Sequence, residues 1–229
     1  MDEKSYYSEK LSALRLKRCY EIASPRIKQY LEAEIRYVLK NHIKPMDTVL
    51  ELGCGYGRFL IRLAQVARKV CGIDISKDSL KLAEEFLSEY SNVELFEMNV
   101  KSLKFPDQMF DVVIAIQNGI SAFHVNPHDL IRESLRVAKD GGKVLLSSYS
   151  EKIWEERLNW FLEQSKEGLL GEIDLKKSEK GIIVCKDGFK ATTYTSQDFM
   201  KLSSELLLEA TIEEVDNSSI FFIIQVHHS

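Results

Sequence analysis

No stretch of this chain stays apolar long enough to cross a bilayer. The longest run toward the C-terminus, Ile220-Phe221-Phe222-Ile223-Ile224, falls far short of the ~20 residues a spanning helix needs. The N-terminus, Met1-Asp2-Glu3-Lys4, opens on charge and starts no apolar run, so no signal peptide is expected. An excess of one charge is also missing: 31 Lys/Arg against 35 Asp/Glu leave a net −4. That balance gives no general pull toward nucleic acid or an anionic membrane. Residues 1–45 differ, with ten Lys/Arg against six Asp/Glu. They read either as a solvated helical face or as a surface that greets an anionic substrate. Cysteine is scarce. Cys19, Cys54, Cys71 and Cys185 make no C-x-x-C pair and keep no His-rich company, so no metal site is expected. Reduced thiols in a cytoplasmic protein are the simplest reading. Internal repeats and low-complexity tracts are absent.

What is there suits one large domain, or a domain with a small cap. A chain of 229 residues can bury roughly 70–75% of its unfolded surface without staples. Residues 8–23 and 26–41 read as two helices split near Pro25, the second with Ile27, Tyr30, Leu31, Ile35 and Val38 at helical spacing. Strands near 48–52, 69–73, 93–98, 111–116 and 142–148 then alternate with helices near 57–67, 78–89 and 127–138. Such alternation predicts a parallel sheet covered on both faces. Residues 151–195 interrupt it. An aromatic amphipathic stretch (Trp154, Leu158, Trp160, Phe161) comes first, and Asp187-Gly188 between two β-prone runs then signals a hairpin. Thr195 with Asp198 three residues on marks a helix start, extending to about 208. Strands near 211–216 and 219–226, joined by Asp216-Asn217-Ser218, complete the pattern, with the last strand antiparallel. The expected units are an N-terminal helical cap (1–45), an α/β core (46–150), a lid or hairpin insertion (151–195) and a C-terminal helix and strand pair (196–229).

The most informative stretch is Val49-Leu50-Glu51-Leu52-Gly53-Cys54-Gly55-Tyr56-Gly57-Arg58, a buried strand running into a glycine-rich turn. Asp74 closes a second apolar strand, Val70-Cys71-Gly72-Ile73-Asp74. A bare turn after one strand and an acid at the end of the next are how an α/β sheet holds a nucleoside. A dinucleotide-binding turn wants G-x-G-x-x-G, but Arg58 stands where the third glycine would be. The pattern G-x-G-x-G preceded by Glu51 resembles motif I of the class I S-adenosylmethionine-dependent methyltransferases. The resemblance spans about residues 47–148. It implies a Rossmann-like doubly wound α/β fold: a seven-stranded sheet, mostly parallel with the last strand antiparallel, helices on both faces and a small lid insertion. It also implies S-adenosyl-L-methionine as cofactor. By that resemblance Asp74 holds the ribose, Ile75 lies beside the adenine, and Asn99 and Val100 end the third strand at the adenine corner. Met98 and Asn99 depart from the family's small residue and Asp there, though the Asn99 carbonyl can still accept a hydrogen bond. Phe110–Gln117 resembles the family's fourth strand, whose end, here Gln117, would face the methyl group. With Glu51, Gly53, Cys54, Gly55 and Gly57 these form the candidate cofactor set.

The acceptor side is less legible. Methyl transfer needs chiefly a nucleophile held in line with the leaving sulfur, and a base only if the acceptor must lose a proton first. Gln117-Asn118-Gly119-Ile120 lacks the Asn/Asp-Pro-Pro-Tyr/Phe run typical of enzymes that methylate base amino groups. Candidate substrate residues are Tyr6, Tyr7, Asn118, His124, Tyr149 and Trp154. His124 and Tyr7 are the candidates for catalysis, and His128 is a further possible base. Each has a plainer reading: loop or helix-start histidines, terminal anchors, and a tryptophan packing a lid. The expected function is methyl transfer to a small-molecule O, N or S acceptor, with neither membrane nor nucleic acid as partner. Rivals are a protein or RNA methyltransferase, a nicotinamide dehydrogenase, which Arg58 argues against, and a non-catalytic cofactor-binding subunit.

Overall fold

The computed structural model describes residue 6 and residues 10–228; Tyr7 lies outside the described residues. Two helices come first, α1 (Ala13–Glu21) and α2 (Pro25–His42). Pro25 is the first residue of α2 rather than a break within it. The Ser24 hydroxyl caps that end by accepting the Ile27 N–H at 3.2 Å. The buried face of α2 carries the expected apolar stripe, and Glu34 within it.

The core follows as β1 (Thr48–Leu52), α3 (Leu60–Ala64), β2 (Lys69–Asp74), α4 (Lys77–Phe86), β3 (Val93–Glu97), β4 (Phe110–Ala115), α5 (Gly119–Ala122), α6 (Pro127–Val137) and β5 (Ala138–Tyr149). The helix expected over 57–67 is confined to α3, because left-handed glycines at 53, 55 and 57 keep the chain turning before it. After β5 come α7 (Trp154–Lys166), the hairpin β6 (Ile183–Val184) with β7 (Lys190–Ala191), α8 (Ser196–Glu205), β8 (Ala210–Val215) and β9 (Ser219–Gln225). Thr195 and Asp198 form the expected capping box at the start of α8.

Seven strands make one sheet in the order β3-β2-β1-β4-β5-β9-β8. The first five are parallel; β9 runs antiparallel to both β5 and β8. Strand β9 slots between β5 and β8, so its alternate residues feed two cores. Ile220, Phe222 and Ile224 pack on one face with Phe110 and Phe199, while Phe221 and Ile223 pack on the other with Ile35, Leu60 and Val70. A third cluster joins α1 and α2 to the insertion through Cys19, Ile27, Tyr30, Trp160, Phe161 and Ile183. The strand order reverses between β1 and β4, and the crevice beyond their carboxyl ends is where sheets of this kind hold ligands.

Candidate functional site

A cavity of about 200 Å³ opens at that crevice. Its floor is the turn after β1. Gly53, Gly55 and Gly57 take φ of +69°, +54° and +84°, a region costly for any residue with a Cβ. A Cβ on Gly53 would lie 2.4 Å from the Phe123 ring, and one on Gly55 would meet Leu16 of α1 at 3.1 Å; both partners line the cavity. Gly57 does not line it. Its Cβ would strike Leu87 at 2.9 Å, so that glycine serves the packing of the turn against the chain after α4.

Asp74, at the end of β2, braces the turn. One carboxylate oxygen accepts the Gly55 N–H and the other the Ser76 N–H, each at 2.8 Å. Burial raises its pKa, and these backbone donors offset part of the rise. Each oxygen keeps a lone pair for a further donor. Glu51, within β1, is pushed up to about 8 by burial; Arg58 opposes that shift and Asp74 adds to it. Its Oε2 is buried without a hydrogen-bond partner and belongs to the cavity wall. Ile75, Asn99 and Val100 complete this end. The Asn99 side-chain oxygen accepts the Lys101 N–H at 2.9 Å, closing a local turn.

Gln117 lies just past β4, and its backbone N–H donates to Glu34 Oε2 at 2.7 Å. Gln117 and Asn118 both take positive φ, +56° and +65°, so the corner is strained and must be held. Glu34 provides one hold. The Asn118 side chain provides the other, donating to Thr192 O at 2.9 Å and accepting from Ser148 Oγ at 2.8 Å. Glu34 is fully buried on α2, and desolvation raises its pKa to about 7. The Ser147 and Ser219 hydroxyls and the Arg58 charge offset part of that cost, yet Oε1 closes no hydrogen bond.

Two helices roof the cavity. Leu16, Cys19 and Tyr20 come from α1, and Trp160, Phe161 and Gln164 from α7. The roof is pinned on both sides. Ala13 N–H donates to Ser79 Oγ of α4 at 2.9 Å, and Trp160 Nε1 donates to Cys19 O at 2.8 Å. Arg18 pairs with Glu167 through Nε and Nη2, and Arg15 donates to Gly168 O at 2.6 Å.

The structure therefore brings Glu51, Gly53, Cys54, Gly55, Asp74, Ile75, Asn99, Val100, Gln117 and Tyr149 to one cavity. Tyr6, Asn118, His124 and Trp154 are not among its lining residues. Tyr6 bonds Asp187 at 2.9 Å and packs on Phe189 at the hairpin. Trp154 faces Arg157, and His128 is bonded to Glu205 at 2.9 Å. The sequence reading missed Tyr20, Phe123 and Gln164. For Gln164 a signal existed: it follows Trp160 by four residues, hence on the same helical face.

The donor set discriminates between nucleoside ligands. A pyrophosphate calls for convergent cations or a bare helix N-terminus, and Arg58 is the single Lys or Arg among the described lining residues. Two acidic side chains and a glycine turn instead fit a phosphate-free nucleoside carrying hydroxyls and a positive charge.

Residues 49–142 match the family model described as a methyltransferase domain. That match covers 94 of the 229 residues, the part of the chain that carries the glycine turn and Asp74. Among curated relatives, demethylmenaquinone methyltransferase of Bacillus licheniformis is 35% identical over 108 residues, 45% of this chain and 45% of the relative. An uncharacterised protein of Methanocaldococcus jannaschii is 34% identical over 140 residues, 57% of this chain and 62% of its own. The chain thus spans about half the length of the curated relatives it matches. Among solved structures, a protein of Pyrococcus horikoshii superposes with a TM-score of 0.66 at 25% identity, over 97% of this chain and 99% of its own. A SAM-dependent methyltransferase of Aquifex aeolicus shares the fold at 17% identity, TM-score 0.63, covering 92% and 97%. No helix among the described residues is long and apolar enough to cross a membrane, and no cluster of His, Cys, Asp or Glu among them could hold a metal ion.

Proposed function

We propose that this protein transfers a methyl group from S-adenosylmethionine to a small-molecule acceptor in the cytoplasm. The observation that carries the reading is the roofed cavity. One end presents Asp74, Glu51 and the glycine turn, and the other is enclosed by aromatic side chains of β5, α1 and α7. A pinned roof of this kind suits an acceptor small enough to be enclosed, and opposes a macromolecular one that needs an open face. Two relatives carry names of small acceptors: the demethylmenaquinone enzyme, and phosphoethanolamine N-methyltransferase 3 of Arabidopsis thaliana, 30% identical over 118 residues. Four buried, unpaired cysteines suit a reducing compartment.

When bound, the cofactor supplies a methyl group on a positively charged sulfur, ready for in-line displacement by a nucleophile. Asp74 would hold the ribose through the lone pairs left after bracing Gly55 and Ser76. Glu51 would take the amino group, and a cation there would draw its raised pKa back down. Gln117 would fix the wall beside the methyl group, its backbone held by Glu34. Helices α1 and α7 would exclude water while the acceptor is held in place. Neither His124 nor His128 lines the cavity, so no histidine is assigned as a base.

The test is to incubate the protein with methyl-labelled S-adenosylmethionine and separate metabolite, protein and RNA fractions of a cell extract. Label in the low-mass fraction is expected. Label confined to protein or RNA would overturn the small-acceptor reading.

A further inference from the structure

Gln164 carries an amide that the folded chain does not use. The residue is 3% exposed, lies on α7 and lines the cavity. Its backbone oxygen caps the helix by accepting the Leu169 N–H at 2.9 Å, yet its side chain makes no hydrogen bond among the described residues. A buried carboxamide offers two donors and an acceptor, and leaving them unmet is unfavourable unless a ligand or water meets them. Gln117 repeats the pattern from another wall: its Nε2 is buried without a partner, and it too lines the cavity. Two unused amides on elements far apart in sequence face one cavity.

Much of the rest of the enclosure is aromatic, with Leu11, Leu16 and Ala122 between the rings. Tyr20, Phe123, Tyr149, Trp160 and Phe161 contribute rings, with Trp160 6.1 Å from Tyr20 and 5.8 Å from Phe161 between centroids. Such walls suit a flat, apolar body. The charged lining residues gather at the glycine-turn end, where Glu51 Oε2 and Arg58 Nη2 are buried without hydrogen-bond partners among the described residues. Asp74 is bonded to the glycine turn, Arg58 lies over the Tyr20 ring at 4.7 Å, and Glu51 feels both of them. A carboxylate or phosphate acceptor would find a single cation, Arg58, held beside Glu51 at the glycine-turn end. An ammonium acceptor would find carboxylates only where the cofactor's own cation must sit.

We propose that Gln164, with Gln117, reads the hydroxyl or carbonyl oxygen of an uncharged, flat, apolar acceptor, and that Gln164 is the specificity-determining residue of that subsite. The proposal rests on the methyltransferase reading of the same cavity and names its substrate class.

Calorimetry on the full chain saturated with S-adenosylhomocysteine tests it, with four probes of one shape: 2-naphthol, naphthalene, 2-naphthoate and 2-naphthylmethylamine at pH 7. Expected is saturable binding of 2-naphthol, with both charged probes at least tenfold weaker. Gln164→Leu, close in size, should weaken 2-naphthol roughly five- to tenfold, the loss of about one hydrogen bond. It should leave naphthalene bound as well or better. Equal or tighter binding of either charged probe, no saturable binding of 2-naphthol, or an unchanged 2-naphthol affinity in the folded variant would overturn the proposal. The wild-type panel decides by itself should Gln164→Leu not fold. Failure of S-adenosylhomocysteine to bind in the first titration is a separate result, and it would count against the methyltransferase reading instead.

Discussion

Replacing Glu34 by Gln should make the protein more stable at alkaline pH than the wild type, by an amount that grows with pH. Glu34 is fully buried, and burial moves its pKa from the ordinary 4.5 to about 7. Because the folded state holds this proton more tightly than the unfolded chain, the group's contribution is fully present below about 4.5. It declines as pH rises and is lost above about 7. The full cost of ionising it in place is about 3 kcal/mol. The groups that face it are Tyr30 on its own helix, Ser147 of β5, Ser219 of β9, Arg58 after the glycine turn and the Gln117 N–H; none neutralises the charge at close range. A glutamine keeps an oxygen for the Gln117 N–H and offers its new N–H groups toward the serine hydroxyls. Glu51, which ionises at about 8, adds a similar decline in both proteins and cancels from the comparison. Urea unfolding at pH 5 and pH 8.5 is the assay. The stability difference in favour of Glu34→Gln should widen by about 2–3 kcal/mol between the two. A difference that does not change with pH would show that the Glu34 carboxyl titrates normally, and the account of a strained corner held by a costly buried acid would fail.

Gly53→Ala should lower the thermal midpoint more than Gly141→Ala. Both sit at positive φ, +69° and +72°, but the first Cβ would lie 2.4 Å from Phe123 and the second has nothing within 4 Å; equal losses would mean that the turn is free to move. Amide exchange across Ala13–Glu21 should slow when S-adenosylhomocysteine is added, because α1 roofs the cavity and is pinned to both α4 and the chain after α7. Exchange indifferent to the ligand would remove α1 from the site.

The sheet and the glycine-turn end of the cavity were legible in the sequence because their signals are local. A glycine turn needs glycine at fixed offsets, an acid ends a strand, and each strand declares itself by composition. Even so, the three glycines play different roles, since Gly53 and Gly55 line the cavity while Gly57 packs beneath it. Asp74 was readable as the acid that closes its strand but not as the brace of the turn, since that role depends on a backbone N–H beyond the end of the neighbouring strand. The acceptor end was harder to read, for it is assembled from α1, β5 and α7, which meet only in three dimensions. Glu34 was hidden inside an apolar stripe whose period it shares with Tyr30, Leu31, Ile35 and Val38. Tyr6 and Trp154 looked like pocket aromatics, yet local partners claim both: Asp187 and Phe189 for the first, Arg157 for the second.

The central claim is that the cavity beyond β1 and β4 holds a sulfur nucleoside without phosphate. The most direct test is one calorimetric comparison: S-adenosylhomocysteine and NAD titrated into the wild-type protein and into Asp74→Ala. The account predicts saturable binding of S-adenosylhomocysteine, none comparable for NAD, and a loss of roughly 10- to 150-fold for the first ligand in the variant, from charge-assisted hydrogen bonds of about 1.5–3 kcal/mol. Saturable NAD binding with no response to S-adenosylhomocysteine would contradict it.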